Sequence, residues 1–392
     1  MKTFLRYIIS IWIFAVAISM NAQEMKVVYS GFGYNCTGLE EIAKRFPFTQ
    51  KLQNEKLKLS NNEDFNINKF LGDKIEKSYK GNLKISRDYA SISDGTTISL
   101  AFVVDYESVQ VSRLVLENKT SYIVDFFICA QAMFYDFTHK RIVASYPCIV
   151  AYKDRFNVLP TEQQKYEIIK KMYLDSSFEV NIFNQFIKVL NDAKPKRSYE
   201  STIGITKVEI GKDSINALPA NLKNQELAKE FVASVFNAYF SDQMKMPVLP
   251  YSSTDGGNIY VLMREYYNDV TDHSYVEGDY SKYSFAVPPP TYKIDLTLEK
   301  LASVIAKEEK PQRIYLFGSA IQIRINDIEK KEIFRERFKD GFTEAIVIGD
   351  EANWPFGEKY IEALLKTYES STQKLSEESG YKKIRSQLDK CK

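Results

Sequence analysis

Two long apolar runs separated by one short polar break occupy residues 121–152, and the break is Asp136-Phe137-Thr138-His139-Lys140. Apolar runs joined by turn-forming residues predict a β-hairpin at the centre of a sheet. A fainter unit of the same kind falls at 313–338, with its break at Asn326 to Lys331. Ahead of the first hairpin, 25–31 reads as a strand. Thr37 and Glu40 have capping-box spacing for a short helix that Pro47 stops. Residues 48–63 are polar and read as a loop. Ile67, Phe70, Leu71, Ile75 and Tyr79 then recur at helical spacing. Strand-like stretches follow at 82–86, 97–104 and 109–116. After the hairpin, Thr161 with Gln164 opens a helix that turns Ile168, Ile169, Met172 and Tyr173 inward. Ser176 with Glu179 opens another, with Ile182, Phe183, Phe186, Ile187 and Leu190 inward.

The second half follows the same order. Residues 205–210 parallel the first strand, and the helical pattern of 225–240 parallels that of 65–80. The stretch 245–249 parallels 82–86, and 313–325 parallels 122–134. A strand at 331–338 and a helix at 356–368 complete the unit. This order predicts an α+β protein: a tandem duplication of a sheet-and-helix unit, with mixed or antiparallel sheets covered by helices. The expected boundaries are 23–197 for the first unit and 198–369 for the second, meeting at Lys194-Pro195-Lys196-Arg197. Residues 370–392 read as a polar C-terminal tail.

At the N-terminus, Lys2 and Arg6 precede an apolar stretch from Tyr7 to Ser19 and a small residue, Ala22. That pattern predicts a secretory signal peptide over 1–22, with an uncleaved membrane anchor as the alternative because Met20 fits the −3 position poorly. No Cys follows the apolar run to take a lipid, and no later segment predicts a membrane span. Export places the protein in the periplasm or outside the cell, with association at the outer membrane as one variant. With Lys2 and Arg6 removed from the 53 basic residues, 51 remain against 51 acidic ones. A chain without charge excess has no general attraction to phosphate backbones, so nucleic acid is not an expected partner.

The four cysteines, Cys36, Cys129, Cys148 and Cys391, form no CxxC pair, and His139 and His273 are the two histidines. No zinc site or other metal site is expected from that set. A hairpin turning between Thr138 and His139 sets Cys129 opposite Cys148, so the two are a candidate disulfide in an oxidising compartment. A slip of one residue in register would separate them. Cys36, near a helix start, is a candidate for a lowered pKa, against a packed or disulfide-bonded cysteine. Neither histidine has a Ser or Cys at motif spacing, and no Gly-rich phosphate loop or GxSxG is present. No catalytic residue and no cofactor is therefore assigned.

Residues 265–292 have no counterpart in the first half. Their tyrosines, Tyr266, Tyr267, Tyr275, Tyr280 and Tyr283, stand among acids ahead of Pro288-Pro289-Pro290. They are the candidate binding residues, since tyrosine supplies contact area at low entropic cost. The alternative is a plain inter-strand loop.

Ala130, Tyr135-Asp136, Thr138 and Ile142-Val143-Ala144-Ser145 carry a resemblance. This strand, "YD" turn and returning strand resemble the compact α/β domain of CsgG-like curli-secretion proteins and of the TolB N-terminal domain. The second unit keeps only Asp327 of the motif. The resemblance implies an envelope scaffold or accessory function without catalytic residues. The lipid-attachment Cys and the pore-forming hairpins of CsgG are missing, so a secretion-pore role does not carry over. The expected function is a non-catalytic cell-envelope binding or assembly protein with a protein or glycan partner. The alternative is an envelope hydrolase acting on glycan or peptide through Asp or Glu residues.

Overall fold

The computed structural model describes residues 26–55, 66–87, 97–116, 119–251, 258–264, 276–277, 280–349, 351 and 354–392. The signal peptide read at 1–22 therefore lies outside the described residues, as do Tyr266, Tyr267, Tyr275 and His273. In chain order the first elements are β1 (Lys26–Asn35), α1 (Leu39–Arg45), α2 (Pro47–Asn54), α3 (Ile67–Ser78) and β2 (Lys84–Ser86). Then come β3 (Thr97–Leu116), β4 (Lys119–Asp136), β5 (Arg141–Phe156), α4 (Glu162–Leu174) and α5 (Ile182–Asp192). The second half continues with β6 (Ile203–Ile210), α6 (Lys212–Ala217), α7 (Gln225–Met244), β7 (Asn258–Arg264), β8 (Val276–Glu277) and β9 (Tyr280–Ala286). It ends with β10 (Tyr292–Glu309), β11 (Gln312–Asn326), β12 (Glu332–Val347), α8 (Phe356–Glu377) and α9 (Lys382–Leu388).

The fold is α+β, with two mixed sheets covered by helices. The small sheet has the order β12-β11-β10-β6, in which β6 runs parallel to β10 and the other pairs are antiparallel. The large sheet contains β5-β4-β3-β1 in the same order and with the same relative directions. It is extended by strands from the second half. β7 pairs antiparallel with β1, β9 pairs with β7, and Arg141 of β5 meets Ala286 of β9. That end of the sheet thus curls into a closed ring, filled by Val103, Met133, Tyr135, Ile142, Val261 and Phe285. Gly33 permits the closure, because a Cβ there would lie 2.8 Å from Val261. Gly31 takes φ +123° at the point where β1 shifts register on β3, a conformation that suits glycine. A cut between 197 and 198 would take β7 and β9 away from the large sheet.

One face of the large sheet is covered by α1 to α5, around Phe32, Phe102, Phe134, Phe183 and Phe186. Its other face meets α7, which also packs on the small sheet together with α8. α7 is buried nearly all round: Ala228, Phe231, Val232, Ala233, Val235, Phe236 and Phe240 are all inside. A helix with partners on two sides needs apolar residues outside a single stripe. Helical spacing alone marks Leu227, Phe231, Val235, Phe236 and Tyr239 as one inward stripe, which is narrower than the real contact surface.

Several local expectations change. Pro47 does not stop a helix before a loop; it begins α2 at the first turn, where its missing N–H is no loss. The capping box at Thr161 and Gln164 forms, but Asn181 rather than Ser176 caps α5. The stretches 97–104 and 109–116 are one strand, β3, bent by a bulge at Asp105. Residues 370–392 are not a tail. α8 runs on to Glu377, and Leu375, Ile384, Leu388 and Cys391 are buried in the second core. Their apolar spacing was sparse, but each lands on a covered face.

The cysteine pairing is also corrected. The hairpin turns where expected, with Tyr135 opposite Ile142. A bulge between Phe134 and Tyr135 then shifts the register, so Cys129 faces Ile149 and Cys148 faces Ala130. Adjacent residues point to opposite faces of a strand. Cys129 packs toward α7 and Cys148 toward α5, and all four cysteines are free and buried.

Candidate functional site

The β3 bulge places an acid where a strand would normally place a core residue. Val104 pairs with Ala130 and Tyr106 with Cys129, so Asp105 is the extra residue between them. Its side chain is buried, and its Oδ1 accepts from Asn35 Nδ2 at 2.9 Å and Gln131 Nε2 at 2.7 Å. Burial pushes the Asp105 carboxyl up to about 6, although those two hydrogen bonds and the Arg45 charge oppose the shift.

Arg45, at the end of α1, crosses from the first half to the second. Its Nη2 donates to Glu230 of α7 at 2.8 Å and to the Asp105 carbonyl at 3.2 Å, while Nη1 lies 3.6 Å from Glu41. Burial acts to raise Glu41, but hydrogen bonds from Thr37 and the Arg45 charge hold its carboxyl below the ordinary value. Glu230 is raised by burial, with Arg45 opposing. In front of this cluster lies a polar cleft of about 390 Å³, bounded also by Cys36, Ser234, Tyr251 and Asn258. The Cys36 thiol is pushed up to about 12 by burial, the reverse of the lowered value considered from its place near a helix start. At neutral pH it is a packed thiol and not a nucleophile.

Two residues along β3, Glu107 holds a different post. Its carboxylate accepts from the backbone N–H of Phe48 at 2.9 Å and of Thr49 at 2.8 Å, and from the Thr49 hydroxyl. It thereby satisfies the first turn of α2, whose own N-cap residue, Phe46, offers no side-chain acceptor. Burial raises it to about 7. This acid holds structure together.

On the far side of the Tyr106–Phe231 contact lies a second cavity, of about 260 Å³ and mostly apolar lining, between the large sheet, α7 and α8. Two cavities thus flank the line along which α7 crosses the β3 bulge.

The residues singled out from sequence fall elsewhere. Tyr283 packs its ring 5.8 Å from Phe137 and 6.0 Å from Phe285, beside the ring core. That contact is structural. Tyr280 lies in β9, which is strand and not loop. His139 sits exposed in the hairpin turn with Nδ1 2.8 Å from Asp136. Among the described residues, no three His, Cys, Asp or Glu are grouped so as to hold a metal. The cleft residues come from β1, α1, β3, α7 and β7, up to 185 positions apart for Arg45 and Glu230, so no local spacing marks them. The available signal is Asp105 and Glu107 in the middle of a strand-like stretch, and by pattern alone two acids there read as a gap between two strands.

No family model and no curated protein matches this chain. Among solved structures, a candidate lipoprotein from Caulobacter crescentus CB15 is similar at 17% identity and a TM-score of 0.14, over 26% of this chain and 65% of that one. The match thus spans just under two thirds of that protein. A proposed homolog of the neuraminyllactose-binding hemagglutinin from Helicobacter pylori is similar at 10% identity and a TM-score of 0.25, over 50% of this chain and 98% of that one. Likeness at these scores carries no argument about fold or activity.

Proposed function

We propose that this is a non-catalytic binding or assembly protein of the bacterial cell envelope, exported by residues 1–22, with its ligand held in the polar cleft beside α7. The observation that carries the reading is Arg45. It engages Glu41, Glu230 and the Asp105 carbonyl together, while about 390 Å³ of space stays open in front of them. Cleft charges already partnered within the protein are suited to orienting a ligand by hydrogen bonds. Proton transfer needs a group free to exchange its proton. Tyr251, Asn258 and Ser234 at the cleft wall fit a polar partner, glycan or extended peptide. For export, the support is the N-terminal pattern. Among the described residues no helix is long and apolar enough to cross a membrane, which leaves strand-built crossings open. We also read the shared strand order of the two sheets as the product of a tandem duplication.

The test is capture of envelope glycans and peptides on the immobilised full-length protein and on Ser234→Trp, which fills the cleft from the α7 side. Loss of the captured set in the variant supports the proposal, and an unchanged set overturns it. One observation favours the hydrolase alternative: an acid at about 6, within the range useful for proton transfer near neutral pH. Turnover of an envelope glycan by the wild type, abolished in Asp105→Asn, would establish that alternative instead.

A further inference from the structure

The apolar cavity on the other side of α7 differs in chemistry from the polar cleft. Its walls are Tyr106, Phe127, Leu222, Phe231, Ile361 and Leu365. The three rings form a cluster, with centroids 4.8 Å apart for Tyr106 and Phe231, 5.9 Å for Phe127 and Phe231, and 6.1 Å for Tyr106 and Phe127. Asn221 donates to the Tyr106 hydroxyl at 3.0 Å, which fixes that ring from the rim.

Charges ring the mouth, and most are matched. Lys153 lies 3.4 Å from Asp125 and 3.5 Å from Glu362. Lys359 lies 3.2 Å from Glu362 and also pairs with Glu344 of β12. Glu358, in the first turn of α8, is half-buried at the same mouth, and among the described residues no cation pairs with it. Burial and the nearby Asp125 raise its carboxyl, and no basic side chain lowers it. The mouth therefore holds three carboxylates, Asp125, Glu358 and Glu362, against two ammonium groups, Lys153 and Lys359. Aromatic walls with an excess carboxylate at the rim complement an organic cation. The rings take its hydrophobic body and attract its charge, and the carboxylate accepts its N–H bonds.

We propose that this cavity is a second ligand site, specific for a small amphipathic ammonium ion, an aryl- or alkyl-ethylamine in chemical class, whose nitrogen pairs with Glu358 and whose apolar end enters between Phe127 and Phe231. The site is separate from the polar cleft and does not depend on the function proposed for it.

Isothermal titration calorimetry on the full-length protein at neutral pH tests this with three probes of one shape: 2-phenylethylammonium, 2-phenylethanol and 3-phenylpropanoate. The ammonium ion is expected to bind about tenfold or more tightly than the alcohol, the worth of one charge-assisted hydrogen bond. The carboxylate is expected to be weakest. Glu358→Gln, nearly the same in shape and in a partly exposed first turn, should remove about that tenfold advantage while leaving the alcohol unchanged. Ala151 stands opposite Phe127 on β5 and is exposed, so Ala151→Trp should close the mouth and abolish binding without touching the core. An unchanged far-ultraviolet circular dichroism spectrum and an unchanged denaturation midpoint certify both variants as folded. Equal affinity for the ammonium ion and the carboxylate, an unchanged ammonium affinity in folded Glu358→Gln, or no binding of any probe at millimolar concentration would each overturn the proposal.

Discussion

The two sheets share a strand order, yet their residues are distributed differently. In β10 of the small sheet, buried and half-exposed positions alternate strictly from Tyr292 to Leu298. In β4 of the large sheet, every position from Phe127 to Tyr135 is buried. The small sheet has one dry face and one wet face, where Arg324 pairs with Asp295 at 2.8 Å and Arg337 with Glu299. The large sheet has helices on one face, and α7 with the β7–β9 ring on the other. Alternation is the mark of a sheet with a solvated face, and its loss marks a sheet covered twice. The second half of the chain supplies that second cover. What looks like two equal units in sequence is an unequal pair, in which one completes the core of the other.

The largest expected effect follows directly. Phe102→Ala opens a cavity among Phe32, Phe183 and Phe186, whose rings lie 5.1–5.2 Å from its own, and should cost about 3–5 kcal/mol in chemical denaturation. Thr297→Lys on the wet face of β10 should stay within about 0.5 kcal/mol. Equal costs at the two sites would erase the contrast between the sheets.

Next come the acids that only the large sheet buries. Glu107→Ala strips the first turn of α2 of its acceptor and should cost about 2 kcal/mol. Both Asp105 and Glu107 bind protons more readily in the folded chain than in the unfolded one, since burial raises them to about 6 and about 7. Their contribution to stability therefore rises as pH falls from above 7 toward the ordinary carboxylate values near 4, and levels off below. The gain should be on the order of 2 kcal/mol for each group, read from denaturation midpoints between pH 8 and 4.5. Asp105→Asn with Glu107→Gln should flatten that part of the profile, and a wild type that loses stability steadily across this range would contradict the burial assignment.

A smaller effect belongs to the clamp between the halves. A double-mutant cycle on Arg45→Ala and Glu230→Ala should return a coupling of about 1 kcal/mol, modest because Glu230 is partly exposed. The smallest expected effect is none. With the four thiols buried and separate, a reducing agent should leave the denaturation midpoint unchanged, and a thiol reagent should label only the unfolded chain. A midpoint that drops on reduction would restore the disulfide between Cys129 and Cys148.

Local signals in the chain were mostly sound. The central hairpin, the caps at Thr161 and the inward face of α5 could all be read, because each depends on residues within one turn or one strand of each other. The errors share a cause. The bulge at Asp105 reads as a break because a polar residue inside an apolar run looks the same in both cases. The bulge beside Tyr135 is invisible, and one extra residue moves Cys148 to the opposite face from Cys129. Pro47 ends one helix and starts the next, and the pattern alone shows only the ending.

The order of strands and helices, and the α+β class that follows from it, were set by the chain alone, since hydrophobic periodicity and capping act over a few residues. Which face of each strand stays dry was decided only when α7, β7 and β9 came to lie on the large sheet. The same packing brought Arg45 to Glu230 and left two cavities beside the bulge. Contacts between residues more than a hundred positions apart leave no periodic trace, because they are fixed by the three-dimensional complementarity of whole surfaces rather than by neighbours along the backbone.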